Sequence, residues 1–320
     1  MASFQRNGIV FHYLDIGQGM PFVFQHGIGG DIRQPAGLFR PPQGVRLLCL
    51  DARAHGQTQP LGDPSALSFD AFGDDLVAWL DHLGVARAVI GGISMGAGVA
   101  LNVAVRYPER VAGLVLSRPA WLDGPMPPEN VARYAALARL LRAVGTAGDR
   151  DRALRWALAG FEVSDDYRAL LASSPDTAQS LRGQLTNERA VDAVARLERL
   201  PPDRPLADWG AAEAVRVPAL VLAHRQDPIH RFTFGARLGA AIPGARLVAL
   251  TPKSMDRERH AAEVQRCLEA FLGRFTAPGP NSQATAAGDI SSVERRLRSD
   301  ANKVRQVERI VHNTVPEAPL

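Results

Sequence analysis

The stretch Gly91-Gly92-Ile93-Ser94-Met95-Gly96-Ala97-Gly98 constrains this chain more than any other. Before it, Ala88 to Ile90 is a short apolar run of the kind that forms a buried strand. After it, Val99 to Val105 carries no breaker and stops at Tyr107-Pro108, as a helix does. A strand turning sharply into a helix leaves the residue at its tip in strained backbone angles, with no space for side chains two positions to either side. Gly92 and Gly96 supply that room around Ser94, and Gly98 and Ala100 are expected to let the helix lie close to the sheet. Such a turn aims the first helical N–H groups, the positive end of the helix dipole, at any anion forming beside Ser94. In a chain with 29 glycines among 320 residues a bare Gly-x-Ser-x-Gly is weak, and only its flanks make it specific. The competing reading is a tight turn with an incidental serine.

The rest of the chain alternates in the same manner. Ile9–Leu14, Pro21–Gln25, Val45–Leu50, Val111–Leu116, Val217–Ala223 and Arg246–Leu250 read as strands. Phe69 to Leu83 reads as a helix from Phe72, Leu76, Leu80 and Leu83, with Ser68 as N-cap and Gly84 just past its end. A helix through Leu238 and a last one capped by Asp256 and running to about Phe275 complete the pattern. Strands and helices alternating at this interval imply a parallel, buried sheet. Between Pro119 and about Gly210 no strand is legible. Stripes such as Val131, Tyr134, Ala138, Leu141 and Val144 instead mark successive helices. Residues 1–118 and 213–275 therefore read as an α/β core and 119–212 as an inserted helical cap. Residues 276–320 read as a small, polar linker and a weakly striped tail, either disordered or helical.

Formal net charge is +4, with acidic and basic residues interspersed and no long basic run, so nucleic acid is a poor expectation. Cys49 and Cys267 lie far apart, which fits neither a disulfide framework nor a metal spacing and suits a reducing cytoplasm. No apolar stretch is long enough for a membrane span or a signal peptide.

The chain resembles the α/β-hydrolase superfamily from its first strands to about residue 275. The resemblance is carried by His26-Gly27-Ile28-Gly29-Gly30, Asp51-Ala52-Arg53-Ala54-His55-Gly56, the Ser94 pentapeptide, and the strand leading to Asp227-Pro228-Ile229-His230. It implies a mostly parallel sheet with helices on both faces and a helical cap, and a serine nucleophile at Ser94. It also implies an orienting carboxylate at Asp227, with Asp123 in reserve, and an oxyanion hole from the backbone N–H groups of Ile28 and Met95. Asp227 follows an apolar strand, which puts it at the carboxyl edge of the sheet, on the same side as Ser94.

Superfamily members usually carry the catalytic histidine shortly after the last strand, often as Gly-His. Here that segment is Thr251-Pro252-Lys253-Ser254-Met255-Asp256, and Lys253-Ser254 stands where Gly-His is expected. The first histidine available is His260, so the expected triad is Ser94, Asp227 and His260, in the superfamily's chain order. The competing reading of His260 is a solvated helix residue. His26 and His55 read as structural members of their loops. His224 and His230 flank Asp227 as supporting groups or as loop residues without a role.

The expectation is a hydrolase, esterase- or lactonase-like, that cuts an ester, lactone or related acyl bond through an acyl-enzyme on Ser94. It would act on a small-molecule acyl substrate and need no metal or other cofactor, there being no metal spacing and no dinucleotide fingerprint. The missing Gly-His keeps a ligand-binding protein with a decayed triad as a second reading, and an acyltransferase as a third.

Overall fold

The computed structural model describes residues 2–276, and the expectation for the tail falls outside them apart from Thr276. Eight strands form one sheet: β1 (Ala2–Arg6), β2 (Ile9–Gly17), β3 (Met20–Gln25), β4 (Val45–Leu50), β5 (Ala88–Ile93), β6 (Val111–Ser117), β7 (Ala219–Ala223) and β8 (Arg246–Ala249). Their order is β1-β2-β4-β3-β5-β6-β7-β8. The six from β4 to β8 run parallel, and β2 and β1 are antiparallel at one edge.

Burial explains why these runs become strands. β5 is buried at all six positions and β7 at all five, as expected of a sheet covered on both faces. β1 escaped the sequence reading because only Phe4 of Ala2-Ser3-Phe4-Gln5-Arg6 is buried. An edge strand like this is defined by its ladder to β2 rather than by a pattern of its own.

On the sheet faces lie α1 (Arg33–Leu38), α2 (Phe69–His82) and α3 (Met95–Arg106). The Ser68 hydroxyl caps α2 by accepting from the Ala71 N–H, and Gly84 ends it at φ +65°, as the sequence indicates. Between β6 and β7 come only helices: α4 (Pro128–Thr146), α5 (Arg150–Glu162), α6 (Asp165–Ser173), α7 (Pro175–Thr186), α8 (Ala195–Arg199) and α9 (Gly210–Glu213). The chain then returns to the sheet with α10 (Phe232–Ala241) and α11 (Arg257–Leu272), the latter capped by the Asp256 carboxylate. Two apolar clusters, one built on α2 and α3 and the other on Phe22, Phe39 and α11, fill the space on either side of the strands.

This topology sets the spacing of the site. β6 lies between β5 and β7, so groups at the ends of β5 and β7 stand about 10 Å apart, two strand spacings. An imidazole with a hydrogen bond at each end spans that gap.

Candidate active site

Ser94 sits between β5 and α3 at φ 57°, ψ −111°, outside the regions that a residue with a side chain prefers. The strain is held by packing on both sides. A Cβ on Gly92 would collide with the backbone of Gly96, and one on Gly96 with the backbone of Gln25 and His26. The two glycines therefore serve the same crossing of chains. Gly98 has a different role from the expected one: a Cβ there would strike the Phe69 ring, so it admits α2 against α3 rather than α3 against the sheet. Ser94 keeps its place at the sheet edge through its N–H, which donates to the Ser117 carbonyl at 2.9 Å.

The serine hydroxyl meets a histidine, and it is His230. The Nε2 of His230 lies 2.8 Å from Ser94 Oγ, and its Nδ1 lies 2.9 Å from Asp227 Oδ2. Asp227 and His230 share one tight turn after β7. Asp227 Oδ1 accepts from the His230 N–H at 2.9 Å and the Ile229 N–H at 3.2 Å, while Pro228, with no N–H, fixes the bend between them. That turn folds the ring back over its own carboxylate three residues earlier. Thr177 of α7 donates to Oδ1 at 3.2 Å, and Arg118 donates to Oδ2 at 2.6 Å.

His260 is placed elsewhere, which corrects the expected triad. Its Nδ1 pairs with the Thr251 carbonyl at 2.7 Å, and its ring packs edge-on against His224 at 5.9 Å. Only 2% of the residue is exposed, so it is not a solvated helix residue either. Burial, together with the neighbouring Lys253 charge, pushes it down to about 4, a histidine kept neutral inside the fold. Lys253, in the position where Gly-His was expected, is itself pushed down to about 8 by burial and by the Arg118 charge. Asp123 makes no hydrogen bond or ion pair among the described residues.

Electrostatics at the Ser94–His230–Asp227 line favour a neutral imidazole beside an ionised carboxylate. Burial opposes charge on Asp227, but His230, Arg118 and the His230 N–H outweigh it and hold the carboxyl well below its ordinary range. For His230, burial and Arg118 outweigh Asp227, and its titration falls below that of a free imidazole.

A glycine loop closes over the serine. Gly27 lies so near that an added Cβ would stand 3.4 Å from Ser94 Cβ, and Ile28 follows it in the loop. The cap holds this loop: Gln184 Nε2 donates to the Ile28 carbonyl at 3.1 Å, and Asn187 Nδ2 to the Gly29 carbonyl at 2.6 Å. Within the described residues the N–H groups of Ile28 and Met95 donate to no other group. His26 is a structural member of the loop, as read from the sequence, with Nδ1–H donating to the Gly27 carbonyl and Nε2 accepting from the Ala52 N–H.

Arg118, Thr177, Gln184 and Asn187 escaped the sequence reading. Arg118 had a signal, a charge just after a strand that is apolar up to its last residue, Ser117. The other three are polar residues among helix-forming neighbours and carry none.

Residues 20–250 match the model of the alpha/beta hydrolase fold, and the chain belongs to that family. It is 26% identical over 284 residues to a 3-oxoadipate enol-lactonase of Acinetobacter baylyi, spanning 83% of this chain and 99% of that protein. It is 28% identical over 276 residues to a 2-hydroxy-6-oxononadienedioate/2-hydroxy-6-oxononatrienedioate hydrolase of Paraburkholderia phymatum, spanning 82% and 91%. The crystal structure of an enol-lactonase from Burkholderia xenovorans superposes with a TM-score of 0.60 at 24% identity, covering 85% of this chain and all of that one. The chain is an enzyme of the hydrolase class. No helix among the described residues is long and apolar enough to cross a membrane.

Proposed function

We propose that the protein hydrolyses an ester or lactone through an acyl-enzyme on Ser94, with His230 as general base and acid and Asp227 as its orienting carboxylate. The observation that carries this reading is the unbroken line Ser94 Oγ, His230 Nε2, His230 Nδ1, Asp227 Oδ2, with contacts of 2.8 and 2.9 Å. With His230 in that line, the second reading, a decayed triad, loses its motive.

In the first half-reaction the Ser94 oxygen bonds to the acyl carbon while its proton passes to His230 Nε2. The carbonyl oxygen becomes an oxyanion, for which the N–H groups of Met95 and Ile28 are the donors. The carbon–oxygen bond to the leaving alcohol breaks as that oxygen takes the proton from Nε2; in a lactone the alcohol stays tethered to the acyl chain. A water then gives a proton to Nε2 and its oxygen to the acyl carbon, and Ser94 Oγ leaves with the proton returned. Asp227 accepts from Nδ1–H throughout, which leaves the Nε2 lone pair facing the serine. The full-length likeness to an enol-lactonase favours a lactone or enol ester as the substrate class.

The test is a p-nitrophenyl ester burst together with labelling by a fluorophosphonate. A burst matching the enzyme concentration and a label on Ser94 are expected. A folded protein that shows neither would overturn the reading.

A further inference from the structure

Arg118 stands at the junction of the three strands that build the site. It directly follows β6, between the strand leading to Ser94 and the strand leading to Asp227, and its backbone is left-handed at φ 51°. A side chain there is strained, and the strain accompanies an interaction. The residue is only 8% exposed, and its Nη2 lies 2.6 Å from Asp227 Oδ2 and 3.1 Å from His230 Nδ1. These two atoms are themselves 2.9 Å apart, so three groups form a closed triangle.

The triangle has two ways to place its protons. With a proton on Nδ1, the ring donates to Asp227, Arg118 also donates to Asp227, and the Nε2 lone pair faces Ser94. With Nδ1 bare, Arg118 donates to it and the proton sits on Nε2, where it blocks uptake from the serine. In addition, the guanidinium stands against any imidazolium formed beside it and takes up part of the Asp227 charge that would stabilise one.

Resting on the assignment of His230 as base, we propose that Arg118 is a positioning residue of the catalytic line that fixes the Asp227 carboxylate and competes with it for His230 Nδ1. It does not touch the reacting atoms and acts through the other two groups.

The other charged and titratable groups around His230 come from every neighbouring element. His224 lies on the same loop, with Nε2 3.7 Å from Asp227 Oδ2. Tyr134 of α4 stands near both Asp227 and Arg118. Asp176 at the start of α7 and Lys253 after β8 act on one another, and Ser94 faces the other ring nitrogen. Of these, only Arg118 is a cation in hydrogen-bond contact with both Asp227 and His230 among the described residues.

The test compares kcat/KM against pH for wild type, Arg118→Gln and Arg118→Lys, with folding checked by circular dichroism and melting. The acidic limb is expected to move up by about one pH unit in Arg118→Gln, which lacks the charge, and to stay near the wild-type value in Arg118→Lys. An unmoved limb in Arg118→Gln, or an equal shift in both variants, would overturn the proposal. Should Arg118→Gln fail to fold, Arg118→Met, which also lacks the charge, takes its place, read by the 15N-resolved titration of His230 against wild type. A midpoint raised above the wild-type one supports the proposal, and an unmoved midpoint contradicts it. His230→Ala is the separate control for the underlying assignment: if it keeps the wild-type rate and limb, the base is another group, whatever Arg118 does.

Discussion

At the scale of single residues, the site depends on which side chains are kept neutral. His230 must be unprotonated to accept from Ser94, and its titration lies below the ordinary imidazole value because of burial and Arg118. Its base form is therefore populated into mildly acidic solution. The acidic limb of kcat/KM is expected below pH ~6.5, measured with a substrate that carries no titrating group of its own. A limb at pH 7 or above would mean that a group with an ordinary or raised pKa governs turnover. Ser94 was legible in the sequence because Gly92 and Gly96 are each required by the collision their replacement would cause. The place of His230 is not legible in the sequence. Its partnership with Asp227 depends on a turn that brings i and i+3 together, whereas the superfamily's usual place for the histidine is after the last strand.

At the scale of elements, the elbow and the cap each hold something that would otherwise relax. Gly96→Ala puts a methyl group into the backbone of Gln25 and His26, and no flexible side chain can yield there. It is expected to cost about 2 kcal/mol or more, or to prevent folding, measured by urea denaturation. α7 reaches the site through Thr177 and Gln184, and Asn187 follows directly after it. Removing the Gln184 amide with Gln184→Ala frees the Ile28 carbonyl and loosens the loop beside Ser94. The expected result is a fall in kcat of about tenfold with little change in KM, since the loop's N–H would act on the oxyanion and not on the ground state. A loss confined to KM would place Gln184 in substrate binding instead. The core strands and the capped helices were readable because burial on both faces and capping residues leave marks in sequence. The cap's contribution was not, because a glutamine in a helix looks the same whether it faces solvent or a catalytic loop.

For the molecule as a whole, acid is the expected weakness. His26, His55, His224, His230 and His260 all titrate below the free-imidazole value, burial being the leading cause for each. In the unfolded chain these histidines gain protons as pH falls through about 6.5, while in the folded protein they stay neutral until lower pH. The unfolded state then binds more protons, so stability is fully present above that value and declines as pH falls toward about 4, near which His260 titrates. Melting temperature followed from pH 7.5 to 4.5 should drop progressively below about pH 6.5. A flat profile would mean that these histidines are not held neutral.

Two substitutions read side by side decide which histidine serves Ser94 as base. With an activated ester, His230→Ala is expected to lower kcat/KM by about 10³-fold or more while the protein stays folded, since among the described residues His230 is the side chain hydrogen-bonded to the Ser94 hydroxyl. His260→Ala, which removes a buried ring paired with the Thr251 carbonyl and packed on His224, should lower stability and leave kcat/KM within about tenfold of wild type. The reverse outcome, full activity in folded His230→Ala and collapse of activity in folded His260→Ala, would contradict it.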